Sequence, residues 1–186
     1  AADHAEKYLD HAADFVIVGE AENTLLELVL KLTTNETDFE TINGLVFKQG
    51  AAIHKTPKRL LSKQLDNFPL PAWDLVNIEP YRKTWMEKHG YFSLNVATTR
   101  GCPYKCNWCA KPIYGNRYNS HSPERVAAEI EHLITLYGVR HFWMADDIFG
   151  LKPGWVQRFR DVVQEKKLDF EYKIQNKDLK FYSLLL

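Results

Sequence analysis

Cys102, Cys106 and Cys109 are the only cysteines of the chain, and they fall within eight residues in the pattern CxxxCxxC. Three thiols at that spacing suit a metal, because thiolates are strong ligands for soft and borderline ions. A disulfide framework would instead use an even number of cysteines spread along the chain. A structural zinc site would add a fourth ligand, through a second CxxC or a histidine pair. The nearby His89, His121 and His141 show no such pairing, so a zinc-binding module would have to recruit one of them singly. An electron-transfer iron–sulfur cluster would likewise use four cysteines. A cubane held by three would keep one iron open to an outside ligand.

The loop must be positioned by its neighbours. Ser93-Leu94-Asn95-Val96-Ala97-Thr98 reads as a strand that runs directly into the cysteine loop. Ser122-Pro123-Glu124 is a helix start, with a capping hydroxyl, a proline in the first turn and an early acid. Val126, Ile130, Leu133, Ile134 and Tyr137 then line one face, and Gly138 supplies the stop. Residues 139–145 read as a second strand. Residues 153–166 read as a helix with Trp155, Val156, Phe159, Val162 and Val163 inward, and 170–174 as a third strand. This alternation predicts a parallel sheet, whose C-terminal strand ends are where ligands bind. Asp146-Asp147 closes the second strand on the same edge as the cysteines, where one carboxylate could cap the following turn. Arg117, after Tyr114-Gly115-Asn116, could reach a carboxylate or the metal environment, or pin the loop from the surface.

Upstream, residues 5–32 read helix, strand, turn, helix. Phe15-Val16-Ile17-Val18 is an apolar run of the kind found in a buried parallel strand, and one such unit cannot cover both faces of its strand. Glu20 and Glu22 are expected in the first turn of the following helix, where the dipole favours them. Residues 33–90 turn polar and proline-rich, with a small hairpin around Gln49-Gly50. In Phe68-Pro69-Leu70-Pro71-Ala72-Trp73 the alternating prolines exclude helix and central strand. Trp73, Trp85, Trp143 and Trp155 are expected in core or interdomain packing.

Twenty-four basic and twenty-four acidic side chains cancel, which removes the electrostatic footprint of a nucleic-acid or anionic-membrane binder. No apolar run approaches the roughly 18 residues of a membrane span, and no signal pattern opens the chain. A cytoplasmic protein is expected, and the chain reads as a piece of something longer.

Thr99-Arg100-Gly101-Cys102-Pro103-Tyr104-Lys105-Cys106-Asn107-Trp108-Cys109 resembles the cluster loop of the radical S-adenosylmethionine enzymes, in which an aromatic typically precedes the third cysteine. The resemblance implies a 4Fe-4S cluster held by Cys102, Cys106 and Cys109, whose open iron chelates S-adenosylmethionine and reductively cleaves it to a 5′-deoxyadenosyl radical. It also implies that Trp108 lies beside the nucleotide and that Asp146, first off its strand, or Asp147 meets the amino group. Arg117 would be a further cofactor contact. Asp14-Phe15-Val16-Ile17-Val18-Gly19-Glu20-Ala21-Glu22 is similar to the last unit of a cobalamin-binding domain, and Leu65-Asp66-Asn67-Phe68-Pro69-Leu70-Pro71-Ala72-Trp73-Asp74 resembles the linker to the catalytic barrel.

The fold class so implied is α/β: an incomplete parallel (β/α) barrel of radical SAM type, preceded by one strand–helix unit of a Rossmann-like cobalamin-binding domain. The expected organisation is residues 1–33 as the end of that domain, 34–90 as linker with hairpin, and 91–186 as the N-terminal part of the barrel. The parent would be a cobalamin-dependent methyltransferase or cyclase acting on a small molecule, with a reductase or flavodoxin-type electron donor. The DxHxxG motif that supplies an axial histidine to cobalamin is absent, so cobalamin is expected in the full-length parent. The later barrel strands are missing too, and no family pattern follows Gln175. The chain alone is therefore expected to be inactive.

Overall fold

The computed structural model describes residues 2–107, 109 and 114–174. Two compact units emerge, one running to Lys63 and a second beginning at Gln64.

In the first unit, α1 (Ala5–Asp10) leads into β1 (Phe15–Ile17), and α2 (Glu22–Thr33) follows. The hairpin β2 (Leu45–Gln49) and β3 (Ala52–Lys55) then completes a three-stranded sheet in the order β1-β2-β3. Both pairings are antiparallel, with Val16 opposite Val46. The parallel partner expected for β1 is thus replaced, among the described residues, by the hairpin expected in the linker. The continuous apolar run is explained by cover on both faces. Val16 packs with Ala5, Leu9 and Val46, while Phe15 and Ile17 pack with Leu28, Ile42, Leu45 and Phe47. Gly44 sits at φ +80°, where a Cβ would lie 3.0 Å from the Val18 carbonyl oxygen and 3.2 Å from Thr24 Oγ1. Only glycine takes both that torsion and that approach at low cost. Glu22 opens α2 as expected. Glu20 lies before the helix, buried, with its Oε2 accepting the Ser62 amide at 2.8 Å.

The second unit contains α3 (Glu79–His89) and a parallel sheet of β4 (Ser93–Val96), β7 (His141–Met144) and β8 (Glu171–Ile174), in that order. Between β4 and β7 run the short strands β5 (Thr99–Arg100) and β6 (Asn119–Ser120) and the helix α4 (Pro123–Tyr137); α5 (Trp155–Glu165) precedes β8. The chain is therefore α/β with a parallel sheet, as the alternation predicts. The Ser122 hydroxyl caps α4 by accepting the Arg125 amide at 3.1 Å, and Gly138 stops it at φ +62°. One core joins Leu94, Val96, Ile130, Leu133, Phe142, Met144 and Phe159. Trp155 stacks on Phe159 with centroids 5.2 Å apart. Trp73 and Trp85 pack against this core, whereas Trp143, expected in core or interdomain packing, lies outside the core of this unit at 40% exposure. No helix among the described residues is long and apolar enough to cross a membrane.

Phe159, 1% exposed, is predicted to cost about 3–5 kcal/mol on replacement by alanine. Leu60→Ala, at a position 85% exposed, should change stability by less than about 0.5 kcal/mol. Urea titration of both variants checks the contrast.

Candidate functional site

The strand expected over residues 93–98 divides in two. β4 ends at Val96, whose carbonyl accepts the Ala145 amide at 2.9 Å. The chain then swerves into β5, which pairs antiparallel with β6, Thr99 opposite Ser120 and Arg100 opposite Asn119. The cysteine loop thus leaves through β5 and returns through β6, at the end of β4 beside the end of β7. Gly101, at φ +84°, turns the chain out of β5 into Cys102.

All three thiols are free, Cys102 half-buried and Cys106 and Cys109 exposed. The Cys109 amide donates to the Cys106 carbonyl at 3.2 Å. Among the described residues no three cysteine, histidine or carboxylate side chains are gathered closely enough to hold a metal, so the sulfurs share a loop without converging. Trp108 lies outside the described residues. Arg117 and Asp147 are exposed.

Asp146 is buried, at 3% exposure. Its Oδ1 accepts the amides of Thr98 at 2.7 Å and Thr99 at 2.8 Å, and its Oδ2 accepts the Thr98 hydroxyl at 2.6 Å. Its carboxylate ties the end of β7 to the start of β5. Burial pushes its pKa up, against the pull of these donors. The buried Thr99 hydroxyl lies beside the same carboxylate without reaching hydrogen-bond geometry. Nearby, the Tyr118 hydroxyl accepts the Leu151 amide at 3.0 Å and so ties the returning strand to the segment after β7. Burial raises the Tyr118 pKa, and the Asp146 charge adds to the rise.

The exit is fastened as well. The His121 amide donates to the Thr98 carbonyl at 2.9 Å, and Trp155 Nε1 donates to the His121 carbonyl at 2.7 Å. Asp66 accepts the Ser122 amide at 3.0 Å and pairs with His121 Nδ1 at 3.0 Å, placing negative charge at the N-terminus of α4. His141 Nδ1 contacts Ser93 Oγ at 2.9 Å. It stands at the opposite end of the sheet from the cysteines, since both strands begin at that pair. Sequence reasoning missed Tyr118 and Asp66 as loop fasteners. The aspartate just ahead of the proline pair was the one available signal.

No protein-family model matches the chain. Over 139 residues it is 34% identical to the uncharacterised methyltransferase PH0819 of Pyrococcus horikoshii, an alignment covering 74% of this chain and 29% of that protein. It is 29% identical over 134 residues to the anaerobic magnesium-protoporphyrin IX monomethyl ester cyclase of Synechocystis, covering 72% of this chain and 26% of the cyclase. The chain thus spans less than a third of the length of these relatives. Among solved structures, the cobalamin-dependent S-adenosylmethionine radical enzyme OxsB, with aqua-cobalamin and S-adenosylmethionine bound, superposes with a TM-score of 0.68 at 20% identity, over 92% of this chain and 24% of OxsB. The radical S-adenosylmethionine methyltransferase TsrM of Kitasatospora setae, with cobalamin and a [4Fe-4S] cluster bound, gives 0.59 at 19% identity, over 84% of this chain and 31% of TsrM. The fold is that of radical S-adenosylmethionine enzymes. The relatives by sequence are a methyltransferase and a cyclase, and the solved structures that share the fold are OxsB and TsrM, a cobalamin-dependent S-adenosylmethionine radical enzyme and a radical S-adenosylmethionine methyltransferase.

The fastening at Asp66 predicts a pH dependence. Burial holds His121 below the usual histidine range, with Arg125 and Arg100 adding to the effect and Asp66 opposing it. Burial also opposes ionisation of Asp66, but the hydrogen bonds from Ser122 and His121 outweigh it and keep the carboxyl below its ordinary value. Both folded values lie below the unfolded ones, so both contributions are present at neutral pH and are lost on acidification. His121 acts first, as pH falls from about 6.5, its unperturbed value, through the folded value. Asp66 follows below about 3.9. In thermal melts between pH 7.5 and 5 the Tm of the unsubstituted chain should fall more steeply, or rise less, than that of His121→Asn.

Proposed function

We propose that this chain is the section of a cobalamin-dependent radical S-adenosylmethionine methyltransferase or cyclase that carries the cluster loop. The observation that supports it most is the presence of three free thiols on one loop, fastened at the C-terminal end of adjacent parallel strands. The donor set fits a 4Fe-4S cluster: three unbridged, accessible thiols leave one iron for an outside ligand. Cys102, Cys106 and Cys109 would hold it. When bound, such a cluster supplies the electron that splits the sulfonium of S-adenosylmethionine. The chain's own residues bind and orient. Asp147, exposed at the strand end, is the carboxylate left for the amino group, and Arg117 is a cation available to the cofactor's carboxylate. Trp108 would offer a ring face to the adenine.

In this reading residues 1–33, with the hairpin that completes their sheet, form the end of the cobalamin-binding domain. The segment from Gln64 to Gly90 is the linker, and residue 91 onward opens an incomplete barrel. Cobalamin would be bound by the longer parent in the cytoplasm, where a small-molecule substrate and a flavodoxin-type or reductase donor complete the system. Three strands leave a bound sulfonium open to water, against the need to exclude it, so turnover belongs to that parent.

Anaerobic reconstitution with iron and sulfide tests the reading. The chain should take up iron and sulfide in equal amounts and give a cluster signal by electron paramagnetic resonance on reduction. Cys102→Ala, Cys106→Ala and Cys109→Ala should each lose most of the iron. Asp147→Asn should keep it while weakening S-adenosylmethionine binding by about tenfold or more, the scale of one charge-assisted hydrogen bond. A chain that binds one zinc tightly and assembles no cluster would overturn the reading.

A further inference from the structure

We propose that Asp146 is a positioning residue that sets the direction of the cysteine loop, rather than a ligand of the cofactor. The proposal rests on the cluster reading for its functional consequence and on the hydrogen bonds alone for its geometry. The last rung between β4 and β7 is the Ala145 amide on the Val96 carbonyl. Beyond it β5 turns away to pair with β6, and the amides of Thr98 and Thr99 have no strand of the parallel sheet to meet. Asp146 stands one residue past that rung. Its Oδ1 takes both amides, at 2.7 and 2.8 Å, and its Oδ2 takes the Thr98 hydroxyl at 2.6 Å. A side chain thereby substitutes for a strand at the point where the sheet gives out.

Thr98 then serves the other limb, because its carbonyl accepts the His121 amide at 2.9 Å where the loop returns. The residue gripped by Asp146 therefore fixes the entry and the exit of the loop together, and Cys102 follows Thr99 by three positions. An ionised carboxylate offers about four acceptor sites, of which three are used here. Asp146 is also buried, whereas its neighbour Asp147 is exposed. A ligand approaching this strand end meets Asp147.

The two roles respond differently to removal of charge alone. In Asp146→Asn the side-chain carbonyl can still accept both amides, and the side-chain NH2 can donate to the Thr98 hydroxyl, which reverses its role. A direct partner of an ammonium loses its charge in that variant as surely as in Asp146→Ala. The test uses the 186-residue chain, with hydrogen exchange of the Thr98 and Thr99 amides read in the iron-free protein. Iron content after anaerobic reconstitution and S-adenosylmethionine affinity by equilibrium dialysis are read in the loaded protein. Asp146→Ala should speed exchange at both amides by about tenfold or more, the scale expected for losing hydrogen bonds to a charged acceptor, and should lower iron content. Asp146→Asn should keep amide protection, iron and affinity within about threefold of the parent chain, a bound set by the small change in hydrogen bonding. Loss of affinity in Asp146→Asn with amide protection intact would overturn the proposal, as would unchanged protection and iron in Asp146→Ala. If Asp146→Ala does not fold, Asp146→Asn decides by the same criterion. A parent chain that takes up no iron would remove the cluster reading, while the exchange measured in iron-free protein would still decide the positioning role.

Discussion

A strand that leaves its sheet for a cysteine-bearing loop gives up its hydrogen-bond partners at the base of that loop. In this chain that constraint is met between Val96 and Thr99, where β4 leaves the parallel sheet. The two-residue ladder of β5 and β6 is far below what stands alone in water. The base of the loop is therefore held by side chains from three other places: Asp146 after β7, Asp66 before α3, and Trp155 at the start of α5. Burying the Asp146 carboxylate is unfavourable in itself, and its raised pKa expresses that. The three donors offset the cost because each would also be left unpaired without it.

The same economy explains why residues 64–90 belong to the second unit. The segment follows α4 from its start to its end. Asp66 meets the cap, the Phe68 carbonyl accepts from Arg125 at 3.0 Å, Trp73 faces the buried Glu129, and Arg82 donates to the Tyr137 carbonyl at 2.7 Å. Arg82 also lies 4.7 Å over the Phe92 ring, which joins the end of this path to the start of β4. The segment is thus held against α4 by side chains and by the Phe68 carbonyl. The helix that receives them is the one whose N-terminus closes the cysteine loop.

Much of this was legible in the sequence, and the reasons are physical. The cysteine spacing, the Ser122 cap with its proline and Gly138 stop, and the alternation of strands and helices are local signals, and each appears where expected. What depends on distant partners was not legible. The antiparallel pairing of β1 with β2 joins segments separated by α2, and an apolar run covered on both faces looks the same whichever way its neighbour points. α3 was missed because it buries no residue and so has no apolar period, although Pro80 near its start and Gly90 at its end, φ +76°, were the available signs. Trp143 reads as core by type, yet it occupies the outward position of β7, between the buried Phe142 and Met144. Asp146 and Asp147 are identical in type and adjacent. Just past the end of β7, one becomes a buried acceptor and the other an exposed carboxylate.

The contrast between the base of the loop and its thiols follows from the chemistry of the groups involved. Backbone amides and carbonyls can be satisfied permanently by the protein, and at the base they are. Thiols have no such partner in an apolar core. They bind metal as thiolates, which must first lose a proton, so metal binding and local ordering are coupled. At the base Thr98, Thr99 and Asp146 are buried, and the two threonine amides are hydrogen-bonded to the carboxylate, whereas Cys106 and Cys109 are exposed. Fixing the base limits the directions in which Cys102 can leave the sheet, and so reduces the conformational entropy of the loop that follows. The peptide groups at the base of the loop are thus ordered by the protein's own hydrogen bonds, independently of anything the thiols bind.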